Sequence, residues 1–230
     1  MKPHLQFIFD IREFNKVLSY TNDALAQPLA NKKIISYVEV LAKRKPKYKR
    51  EVQFVEYAFY YIHKKILKNY EQYASISQTV SKGSYDCVTA TALYSLFLTE
   101  LEIPFAVVET NYHIYLLVYP ETDKEVLLET TDPLAGFITN KQIIAERKLQ
   151  YKQGNKEVPA NQAVFNWDIE TTLKGKELTG VLLYNQSVKQ FNLGNNAEAK
   201  NLAKEALQHY DSNRISSYLN FLEGNQIASN

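Results

Sequence analysis

Apolar residues recur every three or four positions through most of the first hundred residues, which is the spacing of amphipathic α-helices. Pro104 predicts the end of the last such segment, because proline lacks an amide hydrogen and disfavours a helical conformation in the residue before it. Residues 75–86 are polar and contain Gly83 and Ser84, so they predict a turn. The helical segments are residues 11–30, interrupted near Pro28, and residues 33–43, 51–70 and 87–101.

The pattern changes after Pro104 to short runs rich in β-branched and aromatic residues, which is typical of β-strands. Polar breaks at residues 110–111 and 121–124 separate these runs. An antiparallel meander of strands is therefore predicted, and with the helices around it the meander indicates an α+β fold. The predicted strands are residues 105–109, 112–119 and 125–131.

The C-terminal part of the chain returns to a helical pattern. Residues 139–149 are predicted to be helical, and the polar residues 150–175 to form an irregular connector. From residue 176 onward, small and apolar residues indicate two closely packed antiparallel helices, with a turn at Asn195-Asn196 and a further helix at 212–224. The small and apolar positions are Leu183, Ser187, Gly194, Ala199, Ala203, Ala206 and Leu207.

One helix pair of this kind cannot bury its own apolar face. The tail is therefore expected to dock on the rest of the chain. Packing is the role that we favour for it, and binding of a protein partner is the alternative. The predicted division is residues 1–150 as one domain, 151–175 as a connector and 176–230 as the helical tail.

Composition excludes several classes of protein. Apolar residues make up 45% of the 230 positions, which is enough for a buried core, and the net charge of +2 argues against a nucleic-acid-binding protein. No stretch approaches the roughly 18 consecutive apolar residues of a transmembrane helix. The first ten residues lack the apolar segment of a signal peptide. The compartment stays open between the cytoplasm and export with a leader that this chain lacks.

The single cysteine, Cys87, excludes an intramolecular disulfide and a cysteine-based zinc site. It lies where the predicted turn becomes a helix, and there the unpaired amides and the positive end of the helix dipole favour thiolate over thiol. A nucleophilic cysteine also needs a base that a third group orients. His113 lies on a predicted strand and acidic residues lie on the next one, so the chain presents a cysteine, a base and an acid in that order.

The other histidines share no short motif, so a metal site is not expected. No cofactor is expected either. His63 lies in the middle of a predicted helix beside Lys64 and Lys65, and it is expected to be exposed. His209 lies near the end of a tail helix.

Residues 83–137 resemble the core of the transglutaminase-like superfamily, whose enzymes have a papain-like fold. In that family a helix begins at a Gly-x-x-x-Cys-like segment and ends in Leu-Gly-Ile-Pro, one strand carries a histidine, and the next ends in Asp-Pro-Thr. The tail, entered at residues 178–186, is similar to the tetratricopeptide-type helices that bacterial proteins pair with such a core. The matching segments are Gly83 to Cys87, Leu101-Glu102-Ile103-Pro104, Tyr112-His113-Ile114-Tyr115 and Glu129-Thr130-Thr131-Asp132-Pro133.

The resemblance implies acyl transfer by a Cys-His-acid triad, in which Cys87 is the nucleophile, His113 the base and Glu129 the acid. The thiol would attack a peptide bond or a glutamine side-chain amide of a protein or peptide substrate and form a thioester. Water as acceptor makes the protein a cysteine peptidase or amidase, and a lysine amine makes it an acyltransferase. The backbone amide of Cys87 and a side chain, Tyr85 or Gln78, would bind the oxyanion.

The acid has two candidates. The family spacing of about sixteen residues between histidine and acid selects Glu129, whereas Asp132 is the residue that precedes a proline. The pairing of the two strands decides between them. In an antiparallel hairpin the numbers of opposite residues add up to the same sum, and residues two positions away from an opposite residue lie on the same face. A two-residue turn between the strands places Asp132 opposite His113. A loop with an odd number of residues places Thr131 opposite His113, and Glu129 then lies on the same face of the sheet as His113. We favour Glu129.

Two other interpretations compete with an enzyme. In the first, the chain keeps the core fold with an idle triad and is a protein- or peptide-binding module, which the lack of a clear Asp-Pro-Thr segment and of an assigned oxyanion donor favours. In the second, Cys87 is a small core residue of an unrelated α+β fold. The order and spacing of Cys87, His113 and the acids favour the enzyme.

Overall fold

The computed structural model describes residues 9–20, 26–153 and 170–224, and in these ranges the chain forms mixed α+β structure, which confirms the predicted class. A short 3₁₀ turn, Lys45–Lys47, follows α2. The α-helices are α1 (Ile11–Ser19), α2 (Ala26–Arg44), α3 (Glu51–Lys65), α4 (Ile76–Lys82), α5 (Cys87–Glu100), α6 (Lys141–Gln153), α7 (Gly175–Asn192), α8 (Asn196–His209) and α9 (Asn213–Leu222). The strands are β1 (Asn69–Tyr70), β2 (Ser84–Tyr85), β3 (Phe105–Thr110), β4 (Ile114–Val118), β5 (Val126–Leu128), β6 (Phe137–Ile138) and β7 (Glu170–Leu173).

The main sheet has the strand order β6-β5-β4-β3-β7, and all its pairings are antiparallel. The predicted meander of β3, β4 and β5 forms its centre. β7 comes from the segment predicted to be an irregular connector, of which residues 154–169 lie outside the described residues. Only Leu173 of the four β7 residues is buried, so the sequence carries no alternating apolar pattern there.

The register of β4 and β5 is the one predicted for a loop with an odd number of residues between the strands. Leu116 pairs with Leu128 and Val118 with Val126. Continued beyond the ends of the strands, this register places Thr131 opposite His113. A shift by one residue would turn every side chain of a strand to the other face, so this pairing determines which acid lies on the side of His113.

The two faces of the sheet pack against different helices, because successive side chains of a strand alternate between faces. Ile114, Leu116 and Val118 belong to the main core, together with α5 and the N-terminal helices. Tyr115 and Leu117 point the other way, into a smaller cluster that α6 covers. β3, β4 and β5 are therefore buried on both faces.

The segment predicted to be a turn, residues 75–86, instead contains helix α4 and strand β2. Ser75 and Gln78 form a capping box at the start of α4, and Gly83, with φ of +81°, ends the helix in the left-handed conformation. The polar residues of this segment are therefore helix-terminal residues. β2 pairs in parallel with β1 and leads directly into α5.

Pro28 lies near the start of α2 and does not interrupt a helix as expected. α1 ends at Ser19, and α2 begins at Ala26. Proline is tolerated in the first turn of a helix, because the amide hydrogens there have no acceptor within the helix.

The tail consists of α7, α8 and α9, and its first two helices pack closely, as the small residues predict. Gly194, with φ of +81°, lies in the turn between them. The hydroxyl of Ser187 on α7 donates to the carbonyl of Ala199 on α8 at 2.5 Å. A Cβ atom at Gly180 would lie 2.5 Å from Cβ of Tyr210, so α7 and the end of α8 leave no room for a side chain there.

The tail docks on the rest of the chain through buried polar contacts, which confirms the docking that the pattern predicts. Glu109 on β3 accepts hydrogen bonds from the hydroxyl of Tyr210 at 2.9 Å and from the guanidinium of Arg214. The guanidinium also stacks over the ring of Tyr184 at 4.9 Å. Within the described part of the chain, no helix is both long and apolar enough to cross a membrane.

We expect Arg214→Met to lower the free energy of unfolding by about 3–5 kcal/mol, because it leaves the carboxylate of Glu109 buried without its cation. Urea unfolding followed by circular dichroism measures this change. The control is Lys204→Met, which removes an exposed ion pair with Glu223 (3.0 Å) and should cost less than about 1 kcal/mol. Equal losses in the two variants would contradict the docking role of Arg214.

Candidate active site

His113 and Glu129 meet at one end of the sheet. His113 precedes β4 and Glu129 follows β5, and the antiparallel pairing of these strands brings the two residues together. Nε2 of His113 lies 2.5 Å from Oε2 of Glu129. Thr110 closes the turn before β4, since its amide donates to the carbonyl of His113 at 2.8 Å and its hydroxyl accepts from the His113 amide at 3.1 Å. The side chains of His113 and Glu129 are 19% and 11% exposed.

Both oxygens of the Glu129 carboxylate accept hydrogen bonds. Oε1 accepts from the hydroxyl of Thr131 at 2.6 Å, and Oε2 accepts from the hydroxyl of Tyr151 at 2.8 Å as well as from His113. Burial raises the pKa of Glu129, but the hydrogen bond and charge of His113 and the other hydrogen bonds outweigh it and hold the pKa at about 2. An ionised carboxylate only accepts, so Nε2 of His113 carries the hydrogen and Nδ1 is the nitrogen that can take a proton.

Asp132, the alternative acid, has a different role. Its Oδ1 accepts the amides of Leu134 at 3.0 Å and Ala135 at 2.8 Å, and its backbone carbonyl accepts the amide of Gly136 at 3.0 Å. Asp132 thus stabilises the turn that follows Glu129. Of the two candidate acids, only Glu129 contacts His113.

Gly136 holds the backbone of that turn close to Glu129. The amide of Glu129 donates to the carbonyl of Gly136 at 2.8 Å. A Cβ atom at position 136 would lie 2.2 Å from the carbonyl oxygen of Glu129 and 2.4 Å from that of Asp132. Both oxygens belong to the backbone, so only glycine fits here without moving Glu129.

Cys87 is the first residue of α5, and Asp86 caps that helix. Oδ1 of Asp86 accepts the amide of Thr89 at 2.8 Å, and the hydroxyl of Thr89 accepts the amide of Asp86 at 3.0 Å, which forms a capping box. Oδ2 of Asp86 accepts from the amide group of Asn185 on α7 at 2.6 Å. A tail residue therefore contacts the helix cap next to the cysteine.

The amides at the helix start favour the thiolate as expected, but they do not set the pKa of Cys87. Burial raises the pKa of the Cys87 thiol to about 12, and the carboxylates of Asp86 and Glu129 add to the rise. The amides of Cys87 and Val88 act in the expected direction but do not outweigh these effects. Cys87 is therefore a thiol at neutral pH.

Cys87 lies within electrostatic range of Glu129, because α5 is fixed to the segment that follows β5. The hydroxyls of Thr91, one helical turn after Cys87, and Thr130, the residue after Glu129, lie 3.1 Å apart. The thiol of Cys87 and the imidazole of His113 are not hydrogen-bonded to each other. The structure thus places Cys87, His113 and Glu129 in one region. Within this region His113 and Glu129 are in direct contact.

Of the two side chains considered for the oxyanion, Gln78 is occupied elsewhere. Its Oε1 accepts from the amide of Ser75 at 3.0 Å and from Nζ of Lys189 at 3.1 Å, and its Nε2 lies 3.3 Å from Glu71. Tyr85 precedes Cys87 by two residues on β2, and its side chain is buried. The Tyr85 ring makes edge contacts with His63 and Tyr70.

Two residues of the site were not predicted from the sequence. Tyr151 lies near the end of α6, which was expected to end at residue 149, and Asn185 lies on the tail. Tyr151 belongs to no motif, and Asn185 lies in the tail segment 178–186, which no motif spacing links to Cys87 or His113. Only their contacts with Glu129 and Asp86 reveal them.

His63 is buried, at 6% exposure, although its lysine neighbours suggested an exposed position. It packs against Phe59, Tyr85 and Tyr94, and burial lowers its pKa to about 4, so it is neutral at pH 7. His209 is also buried and lies 3.5 Å from Glu205. Among the described residues, no cluster of three His, Cys, Asp or Glu side chains is arranged to hold a metal ion.

Comparisons of the chain with protein-family models, with curated proteins and with solved structures give no match. The resemblance to the transglutaminase-like core therefore rests on the motifs around Cys87, His113 and Glu129.

We expect the stability of the protein to fall as the pH drops from about 4.5 to about 2, in part because of Glu129. Its pKa is lower in the folded chain than its ordinary value of 4.5, so the unfolded chain takes up a proton first. Complete protonation removes about 3 kcal/mol of stability. Urea unfolding of wild type and Glu129→Gln across this range isolates the effect, since the gap between the two proteins should shrink as the pH falls. A gap between the two proteins that stays constant across this pH range would show that Glu129 does not contribute to the pH dependence.

We expect Gly136→Ala to lower the free energy of unfolding by about 2 kcal/mol or more, because the added methyl group meets two backbone oxygens. Gly194→Ala is the matched control. A Cβ atom there meets nothing within 4 Å, so only the positive φ should cost about 1 kcal/mol. Chemical unfolding of both variants provides the comparison, and a smaller loss at position 136 than at position 194 would show that the turn accommodates a side chain.

Proposed function

We propose that the chain is a transglutaminase-like cysteine hydrolase or acyltransferase that acts on amide bonds of a protein or peptide substrate. The observation that carries this proposal is the hydrogen bond between His113 and Glu129. It orients an imidazole at the end of the sheet, within the region that also contains Cys87 at the start of α5. A nucleophile, a base and an orienting acid are the parts that thiol acyl transfer needs.

In the proposed reaction, Nδ1 of His113 takes the thiol proton as the sulfur of Cys87 bonds to the amide carbonyl carbon. The resulting oxyanion is stabilised by backbone amides at the start of α5. His113 returns the proton to the leaving nitrogen, the C–N bond breaks, and a thioester remains on Cys87. Water or an amine then attacks the thioester, and His113 takes the proton of the attacking group. The C–S bond breaks, His113 returns the proton to the sulfur of Cys87, and the acyl product leaves.

The raised pKa of Cys87 gives the base a definite task in this scheme. A thiol that is protonated at rest has little nucleophilicity. Proton removal must therefore accompany the attack, and His113, whose Nε2 is engaged by Glu129, has Nδ1 available for it. General-base catalysis of this kind typically contributes about 10²–10⁴-fold to a rate.

A second candidate function is a protein- or peptide-binding module with the same core, in which Cys87 is an unreactive thiol. The burial that raises the pKa of Cys87 favours this candidate. The tail would then contribute a binding surface. The two candidates differ in whether Cys87 reacts with an acyl donor and whether that reaction needs His113.

We expect the wild-type protein to convert an N-blocked Gln-Gly dipeptide and hydroxylamine into a hydroxamate, with a covalent adduct on Cys87 detectable by mass spectrometry. Ammonia release without hydroxylamine measures hydrolysis. Cys87→Ala should abolish the reaction, and His113→Ala should slow it by about 100-fold or more.

The same variants are then treated with iodoacetamide at pH 7, which measures thiol reactivity without a specific substrate. His113→Ala should slow the alkylation of Cys87, whereas His209→Ala, which removes a histidine of the tail, should not. Two results together would overturn the proposal that the chain is an enzyme: no adduct with the dipeptide, and equal alkylation of Cys87 in wild type and His113→Ala. They would favour the binding module.

A further inference from the structure

Tyr151 contacts both members of the His113–Glu129 pair from the helix that covers their side of the sheet. Its hydroxyl donates to Oε2 of Glu129 at 2.8 Å, the same oxygen that lies 2.5 Å from Nε2 of His113. The ring centroids of Tyr151 and His113 lie 4.6 Å apart, with an angle of 44° between the planes. One side chain therefore binds the acid and packs against the base.

Tyr115 completes an aromatic cluster behind the imidazole. Its ring lies 5.1 Å from that of Tyr151 and 6.5 Å from that of His113, and it is nearly parallel to the imidazole, with an interplanar angle of 16°. Tyr115 belongs to the cluster between the sheet and α6. The imidazole is thus bounded by Glu129 at Nε2 and by aromatic rings beside it, which restricts rotation of the ring.

The shared oxygen distributes the negative charge of Glu129 between two donors. An ionised carboxylate oxygen has lone pairs for both, and each hydrogen bond that it accepts weakens its attraction for the other donor. Without the Tyr151 hydroxyl, Oε2 would interact with His113 alone and the hydrogen bond between them would become stronger. Tyr151 consequently sets the strength of that bond as well as the position of the ring.

We propose that Tyr151 is a positioning residue for the His113–Glu129 pair, which fixes the imidazole with Nε2 on Glu129 and leaves Nδ1 as the proton acceptor. This role rests on the proposed function for its consequence in catalysis, but its structural content is independent of activity. In metal sites, a residue that orients a ligating histidine typically changes activity by about tenfold to a hundredfold when it is altered, and we expect an effect of similar size here.

The test is the proton NMR signal of the His113 Nε2–H group, which reports the strength of its hydrogen bond to Glu129. Tyr151→Phe keeps the ring and removes the donor, so the signal should move downfield. Incorporation of 3-fluorotyrosine at position 151 makes the phenol a better donor without changing its shape appreciably, so the signal should move upfield. Opposite displacements in the two variants are the expected result.

Tyr115→Phe is the matched control, because Tyr115 belongs to the same cluster but its hydroxyl does not bind Glu129 or His113. It should leave the signal in place. An unchanged signal in both Tyr151 variants, or a displacement in Tyr115→Phe as large as that in Tyr151→Phe, would overturn the proposal and leave Tyr151 as a packing residue.

Hydroxamate formation by the same proteins separates this proposal from the proposed function. Tyr151→Phe should lower the rate by about tenfold or more, and Tyr115→Phe should not. If the wild type forms no hydroxamate while the NMR signal still moves as expected, the proposed function fails and the positioning role stands. If the wild type is active and Tyr151→Phe is equally active with an unmoved signal, the positioning role fails alone.

Discussion

The buried carboxylate of Glu129 is the group on which the candidate site depends. Removing an ionised carboxylate from water costs several kcal/mol unless donors replace the water. Here the donors come from three places along the chain: His113 before β4, Thr131 in the turn after β5, and Tyr151 on α6. The register of the sheet, the tight turn at Gly136 and the placement of α6 must all agree for this one charge to be satisfied.

Two other buried acids connect the tail to the rest of the protein by the same principle. Asp86, which caps the helix of Cys87, accepts a hydrogen bond from Asn185 on α7. Glu109 on β3 accepts from Tyr210 and Arg214 at the end of α8 and on α9. The tail helices therefore supply donors that the N-terminal part of the chain lacks, and α7 reaches the immediate surroundings of the cysteine.

Burial and two of the acids, Asp86 and Glu129, also set the protonation of the Cys87 thiol. The partial burial of Cys87 reduces the water that would stabilise a thiolate, and the two carboxylates add negative charge near it. The same carboxylate that orients His113 thus makes the unassisted thiolate unfavourable. An active enzyme built in this way would couple proton transfer to attack, whereas a binding protein would simply retain an inert thiol.

The sequence predicts the α+β class, the strands β3 to β5, the helix that begins at Cys87 and the close packing of the tail, because each of these depends on local periodicity or on small residues. It also limited the acid to Glu129 or Asp132. It missed α4, whose capping box of Ser75 and Gln78 was present in the sequence, and β7, which has a single buried residue.

Properties that depend on distance and burial follow only from the folded chain. The register of β4 and β5 placed Glu129 against His113, and packing buried His63 in spite of its lysine neighbours. Burial and two carboxylates outweighed the effect of the helix start on Cys87. Tyr151 and Asn185 joined the site from positions that no motif connects to it. The local sequence sets helix and strand, but the pKa of a group depends on the charges and the solvent that the folded chain places around it.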